Sequence, residues 1–168
     1  MTRLTKPLTF LVIILITLGV LFRVVNLDQK PYWFDEVFTS LQISGYDEHQ
    51  DVNPQLYTSR AIGYEELLKF QGPSSKRTLI DAIRSIARKS PPRTPFYFVL
   101  ARWWTQSLGY SIFIIRSLSV LFGLLVLPAM YWLARELFQA TSVSKIAVAL
   151  AAISPIFIRY AQEARPYS

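Results

Sequence analysis

Residues 7–25 read PLTFLVIILITLGVLFRVV and carry no charge before Arg23. A bilayer's hydrocarbon core is about 30 Å thick and takes roughly 20 apolar helical residues to cross, so this block is long enough to span. Two later blocks share its character. Ser111 to Leu133 holds one charge, Arg116, and Val143 to Ile158 holds one, Lys145, near its start. The third block is short and crosses only if Tyr160 and Ala161 continue it. The expected spans are therefore residues 8–25, 111–133 and 143–160. The expected fold class is an all-α membrane protein of about three transmembrane helices, with a long outer loop, 26–110, bearing amphipathic juxtamembrane helices.

Length alone would allow one soluble domain, since the chain has 168 residues of which 52% are hydrophobic and 17% charged. The gathering of apolar residues into long blocks argues against that. The formal net charge is +7, yet no Lys/Arg block interleaves with a nucleic-acid module. No nucleic-acid partner is expected. Membrane lipid or an anionic lipid-linked substrate suits that excess better. The chain has no cysteine and a single histidine, His49, which removes disulfides, thiol catalysis and Cys- or His-rich metal sites. No cofactor or metal is expected, and neither a Gly-rich phosphate loop nor a nucleophile triad is present. The N-terminus has a basic start, Arg3 and Lys6, but the apolar run is long for a signal core. Residues 21–25 offer no small-x-small cleavage site, so the first block reads as an uncleaved span.

Arg3 and Lys6 before the first span, and Arg135 and Lys145 between the second and third, place those flanks in the cytoplasm. Residues 26–110 and the tail from Tyr160 then lie outside, as in a multi-pass protein of the cell (inner) membrane. Within the outer segment Phe34, Val37, Phe38 and Leu41 recur on one helical face, and Gly45 ends that helix. Residues 47–55 read as an exposed polar loop. A short helix is expected over Tyr64 to Phe70, closed by Gly72-Pro73, with Ser74 or Ser75 capping the next. That next helix, Lys76 to Lys89, sets Leu79, Ile80, Ile83, Ile86 and Ala87 against Arg77, Asp81, Arg84 and Arg88. It suits either a position flat in the membrane interface or packing on neighbouring protein. Pro91-Pro92 stops it. Phe96 to Leu108 reads as a juxtamembrane helix whose Arg102, Trp103 and Trp104 are interface residues. The alternative, a further span, would move everything after it to the other side.

Residues 32–36, Tyr-Trp-Phe-Asp-Glu, put two adjacent carboxylates among aromatic rings where the first span reaches water. Asp35 or Glu36 can take a proton from an attacking hydroxyl, although acids in a helix's first turn are also favoured by the helix dipole alone. Arg116 lies just inside the outer end of the second span. Two readings are open there: snorkelling to headgroups, or facing an anionic group. The tail from Arg159 to Ser168 includes Glu163, Arg165 and Tyr167. Tyr160 and Tyr167 can be an aromatic belt, but the opposite charges Glu163 and Arg165 are not explained by one. Arginines offer a planar fork for a phosphate.

These motifs come in a particular order. Residues 32–36 follow a first span, and Thr94 to Phe98 (TPFYF) follows a long outer loop. Ile115 to Gly123 (IRSLSVLFG) comes next, and then Ser154-Pro155 leads to Gln162 to Tyr167 (QEARPY). This order resembles the N-terminal part of the GT-C membrane glycosyltransferases, nearest to the bacterial relatives of protein O-mannosyltransferases and lipid A aminoarabinose transferases. The likeness covers nearly the whole chain. It implies transfer of a sugar, with inversion, from a polyprenyl-phosphate-linked donor to an acceptor lipid, glycan or protein at the outer face. Asp35 matches the first-loop acid assigned as general base, and Glu36 its catalytic partner. Arg116 matches the arginine at the start of the second span, and Glu163, Arg165 and Tyr167 match the motif after the third; these four are the expected donor-binding residues. Where relatives carry His-Pro-Pro, this chain has Arg93-Thr94-Pro95. The family's members are several times longer, so residues 1–168 correspond to the N-terminal part of such a domain, and activity is expected of the full-length form. The rival expectation is a truncated, non-catalytic membrane protein whose outer loop binds a partner or lipid.

Overall fold

The computed structural model describes residues 5–58, 60–74, 76–88 and 95–166. Every regular element among them is helical: α1 (Thr5–Val24), α2 (Phe34–Ser44), a π-helical turn (Glu48–Val52), α3 (Asn53–Leu56), α4 (Tyr64–Leu68), α5 (Leu79–Arg88), α6 (Pro95–Leu108), α7 (Ile112–Phe138), α8 (Thr141–Ile153) and α9 (Pro155–Ala161). They fall into two compact units. The first holds residues 1–29 and 116–163, and the second 30–115 and 164–166.

Two helices are long and apolar enough to cross a membrane: α1, over Lys6–Val24, and α7, with 27 residues. Phe10, Phe22, Leu125 and Trp132 stay exposed along them. So much large apolar surface is compatible with membrane-crossing elements. The expected third span is not one straight helix. α8 and α9 meet at Ser154 with a 57° bend, because Pro155 has no N–H to continue the helix.

In the first unit, α8 offers small residues to α1. Val148, Ala149, Ala151 and Ala152 are buried with Val12 and Leu127. A Cβ on Gly19 would collide with the Ala152 carbonyl, so glycine is what lets the two backbones approach, as is usual between membrane helices. The approach leaves the last carbonyls of α8 without amide partners. Arg23 fills that place. Its guanidinium is wholly buried and donates to Ala152 O at 2.6 Å, Ala151 O at 3.1 Å and Gly19 O at 2.9 Å. Gln162 does the same for α1, donating to Phe22 O and Val25 O.

The second unit packs α2, α5 and α6 together, around Ile43, Ala82, Ile86, Phe98 and Ala101. The apolar face read from the sequence divides along α2: Phe34 and Val37 are exposed, Phe38 is half-buried and Leu41 is buried. Glu36, Thr39, Ser40, Gln42 and Ser44 are buried as well, and the carboxylate and the Ser40 hydroxyl find partners there. Arg102 corrects an expectation. It is not at an interface but buried, donating to Ile43 O at the end of α2 and to the Arg77 carbonyl. A cation there satisfies terminal carbonyls and suits the helix dipole.

Residues 47–55 are not a plain exposed loop either. Asp47 Oδ1 accepts from the amides of His49 and Gln50, which starts the π-helical turn. Val52 is buried with Leu41 and Phe70. The cap of α5 is Thr78. Its Oγ1 accepts from Asp81 N, while Asp81 Oδ2 accepts from Thr78 N at 2.8 Å, a reciprocal capping box. The expected cap Ser74 lies ahead of the helix, where its Oγ accepts from Lys76 N at 3.2 Å, and Ser75, the other expected cap, lies outside the described residues. On α5 the buried residues are Ala82, Ser85 and Ile86, and Leu79, Ile80 and Ile83 remain exposed.

Candidate functional site

Asp35 and Glu36 occupy the first turn of α2, and the structure brings the Ala164–Arg165 segment to them. Arg165 Nη2 stands 3.3 Å from Asp35 Oδ2, and its Nη1 donates to the Asp35 backbone carbonyl at 3.0 Å. One guanidinium thus grips the same residue twice, a use of its planar fork. The side chain of Asp35 is about one third exposed and that of Arg165 nearly buried, so the carboxylate is held on one side and open on the other. Asp35 Oδ1 takes no hydrogen bond among the described residues.

Glu36 is placed differently. It is fully buried. Its Oε1 accepts from Ala164 N at 2.8 Å, and its Oε2 lies at the long limit, 3.5 Å, from Trp33 N. The second contact is half of a capping box. The first ties the tail's backbone to α2, over a separation of 128 residues. The two adjacent acids therefore have distinct surroundings, one open and one sealed.

Behind Glu36 runs a chain of hydroxyls that sequence reasoning missed. Tyr32 donates to the Glu36 backbone carbonyl at 3.0 Å and bonds Ser40 Oγ, which in turn bonds the Tyr110 hydroxyl at 2.9 Å. One assignment serves all of them: Tyr110 donates to Ser40, Ser40 to Tyr32, and Tyr32 to the carbonyl. Burial pushes the ionisation of both Tyr32 and Tyr110 up, so both remain neutral donors at ordinary pH. Glu36, Ser40 and Ser44 recur every four residues on α2. That polar stripe was the available signal.

Two of the remaining expected residues belong to the first unit. Arg116 is buried in the first unit, where its Nη1 donates to Leu27 O at 2.5 Å, an arrangement that neither sequence reading described. Glu163, also in the first unit, pairs with Arg159 one helical turn earlier, at 3.1 Å. Its partner is thus not the adjacent arginine of the motif. Tyr167 lies outside the described residues.

Chemically, Asp35 offers an oriented carboxylate with one oxygen available, and Arg165 a cation beside it. Among the described residues no cluster of acids and histidines could hold a metal ion. Compared with known proteins, the chain matches no family model, no curated protein and no solved structure.

Proposed function

We propose that this chain supplies the acid wall of a glycosyl-transfer site at the outer face of a membrane. In its full-length form it would move a sugar from a polyprenyl-phosphate-linked donor to an acceptor hydroxyl. The observation that carries the reading is the double tie of the acid pair to the tail: Arg165 on Asp35, and the Ala164 amide on Glu36. The two stretches that most resemble GT-C transferases, far apart in sequence, meet at one place.

In this reading Asp35 takes the proton of the acceptor hydroxyl through Oδ1 while Arg165 holds Oδ2. The acceptor oxygen bonds to the anomeric carbon, the carbon–oxygen bond to the carrier's phosphate breaks, and its electron pair leaves on that phosphate. Attack opposite the leaving group inverts the anomeric centre. Glu36, sealed from solvent, positions α2 and the tail rather than touching substrate. Arg165, held to Asp35 through both Nη atoms, fixes the direction of that carboxylate and sets a positive charge beside the reacting groups. Residues 26–110 lie outside in this reading, and α1 and α7 anchor the chain.

The reaction class is tested with membranes carrying the natural full-length protein and two labelled donors, a polyprenyl-phosphate sugar and a nucleotide sugar. Transfer from the lipid-linked donor alone supports the proposal, and transfer from the nucleotide sugar alone, or from neither, contradicts it. A second reading, a non-catalytic lipid-binding loop, is favoured by the exposed Leu79, Ile80 and Ile83 of α5. Under it the protein binds vesicles but transfers no sugar.

A further inference from the structure

A polar cavity of about 180 Å³ opens in the second unit, lined by Gly45, Asp47, Gln50, Asp51, Arg77, Asp81, Arg84 and Ser85. It lies at the C-terminal end of α2, and Asp35 is at the N-terminal end of the same helix. At 1.5 Å per residue the two are about 15 Å apart along the axis, so the cavity is not part of the site described above.

Its floor exists because Gly45 adopts a left-handed backbone, with φ 83°. A Cβ there would come within 3.0 Å of Arg77 Cβ and 3.1 Å of Arg102 Nη1. The walls are built of polar groups, some already used and some spare. Asp51 is spent on Arg77 and on the Asp47 amide. Asp47 uses only Oδ1, and Asp81 uses only Oδ2. That leaves Asp47 Oδ2 and Asp81 Oδ1 as acceptors. The guanidinium of Arg84 and the side-chain amide of Gln50 make no hydrogen bond or ion pair among the described residues, and they remain as donors.

Spare acceptors and spare donors together select the ligand. A phosphate or carboxylate would face three aspartates. A metal ion would need three or more ligands close enough to share it, and the aspartates here do not form such a group among the described residues. A hydroxyl both donates and accepts, so a ring bearing several hydroxyls matches a wall that offers both kinds of group. The volume is below the roughly 300–1,000 Å³ of drug-sized sites, so it admits one ring rather than a chain. On α5 the cavity takes Asp81, Arg84 and Ser85, while Leu79, Ile80 and Ile83 do not line it.

We infer that this cavity is a subsite for one sugar ring of a glycan acceptor, remote from the ring that reacts. The inference rests on the transfer reading proposed above and narrows its acceptor to a carbohydrate long enough to reach from Asp35 to Gly45. Remote binding energy of this kind positions the reacting end.

The test is saturation-transfer NMR on the chain in lipid nanodiscs, using three probes: a methyl hexoside, methyl phosphate and methylammonium. The expected result is a signal for the hexoside alone, lost in Arg84→Leu and weakened in Gln50→Ala, with circular dichroism unchanged. The signal should persist in Asp35→Asn, which separates this subsite from the acid pair. A hexoside signal that survives Arg84→Leu and Gln50→Ala overturns the inference. So does its absence, or an Arg84-dependent signal from either ionic probe. None of these outcomes touches the transfer assay, and a failed transfer assay leaves the hexoside signal to be read by itself.

Discussion

Arg165 holds Asp35 by both its carboxylate and its backbone carbonyl, at 3.3 and 3.0 Å, across 130 residues of sequence. The pairing fixes which way the carboxylate points and leaves one oxygen open. Arg165→Ala should therefore lower transfer without unfolding the protein. A hydrogen bond to a charged group contributes about 1.5–3 kcal/mol, and about 1.4 kcal/mol is a factor of ten, so the expected loss is roughly 10- to 100-fold. Arg165→Lys should recover only part, because an ammonium lacks the rigid planar fork that sets two donors side by side. Steady-state transfer rates check both.

Glu36 should behave as a positioning residue. Glu36→Ala strands the buried Ala164 amide, which costs about 1–3 kcal/mol and should show as a lower melting temperature of the purified protein. Glu36→Gln keeps an acceptor oxygen and should stay close to wild type in both stability and transfer. A Gln variant that is stable but inactive would instead give Glu36 a direct part in the chemistry.

The first unit depends on the contact between α1 and α8. Arg23→Leu orphans the Ala151 and Ala152 carbonyls in a setting without water, at about 1–3 kcal/mol for each. Gly19→Ala forces the helices apart at about 1–3 kcal/mol. Unfolding in a mixed-micelle denaturant series should report both losses. The two changes act on one contact, so their effects should fall short of additive.

The cap of α5 predicts a pH dependence. Hydrogen bonds from the Thr78 amide, then its hydroxyl, hold the Asp81 carboxyl below its ordinary value. A depressed carboxylate stabilises above its unfolded pKa, about 3.9, and that stability is lost as pH falls through the folded value. Circular dichroism should show α5 losing helix in the acid range, with the step absent in Asp81→Asn.

Much of the frame was legible from residues alone. Long uncharged runs gave α1 and α7 because a bilayer demands them, and the proline at 155 was a visible reason for the break in the third. Helix polarity was not legible in α2. The periodicity of Phe34, Val37, Phe38 and Leu41 located the helix but not which part of that face is covered: Leu41 reaches the core while Phe34 and Val37 stay exposed. Arg23, Arg102 and Arg116 were unreadable for a common reason. Each serves backbone carbonyls of a distant element, and carbonyls leave no mark in a sequence. The Arg165–Asp35 pair had both partners in view, yet which of several arginines met the acid was decided only by the fold.

The most direct test of the account is turnover by Asp35→Asn in the full-length protein, measured with a polyprenyl-phosphate sugar under saturating donor. Asparagine preserves shape and can still meet Arg165 through its oxygen, but it accepts no proton. The account predicts a folded protein that binds donor and transfers about 100- to 10,000-fold more slowly, the range of general-base catalysis. Wild-type turnover by that variant would contradict it.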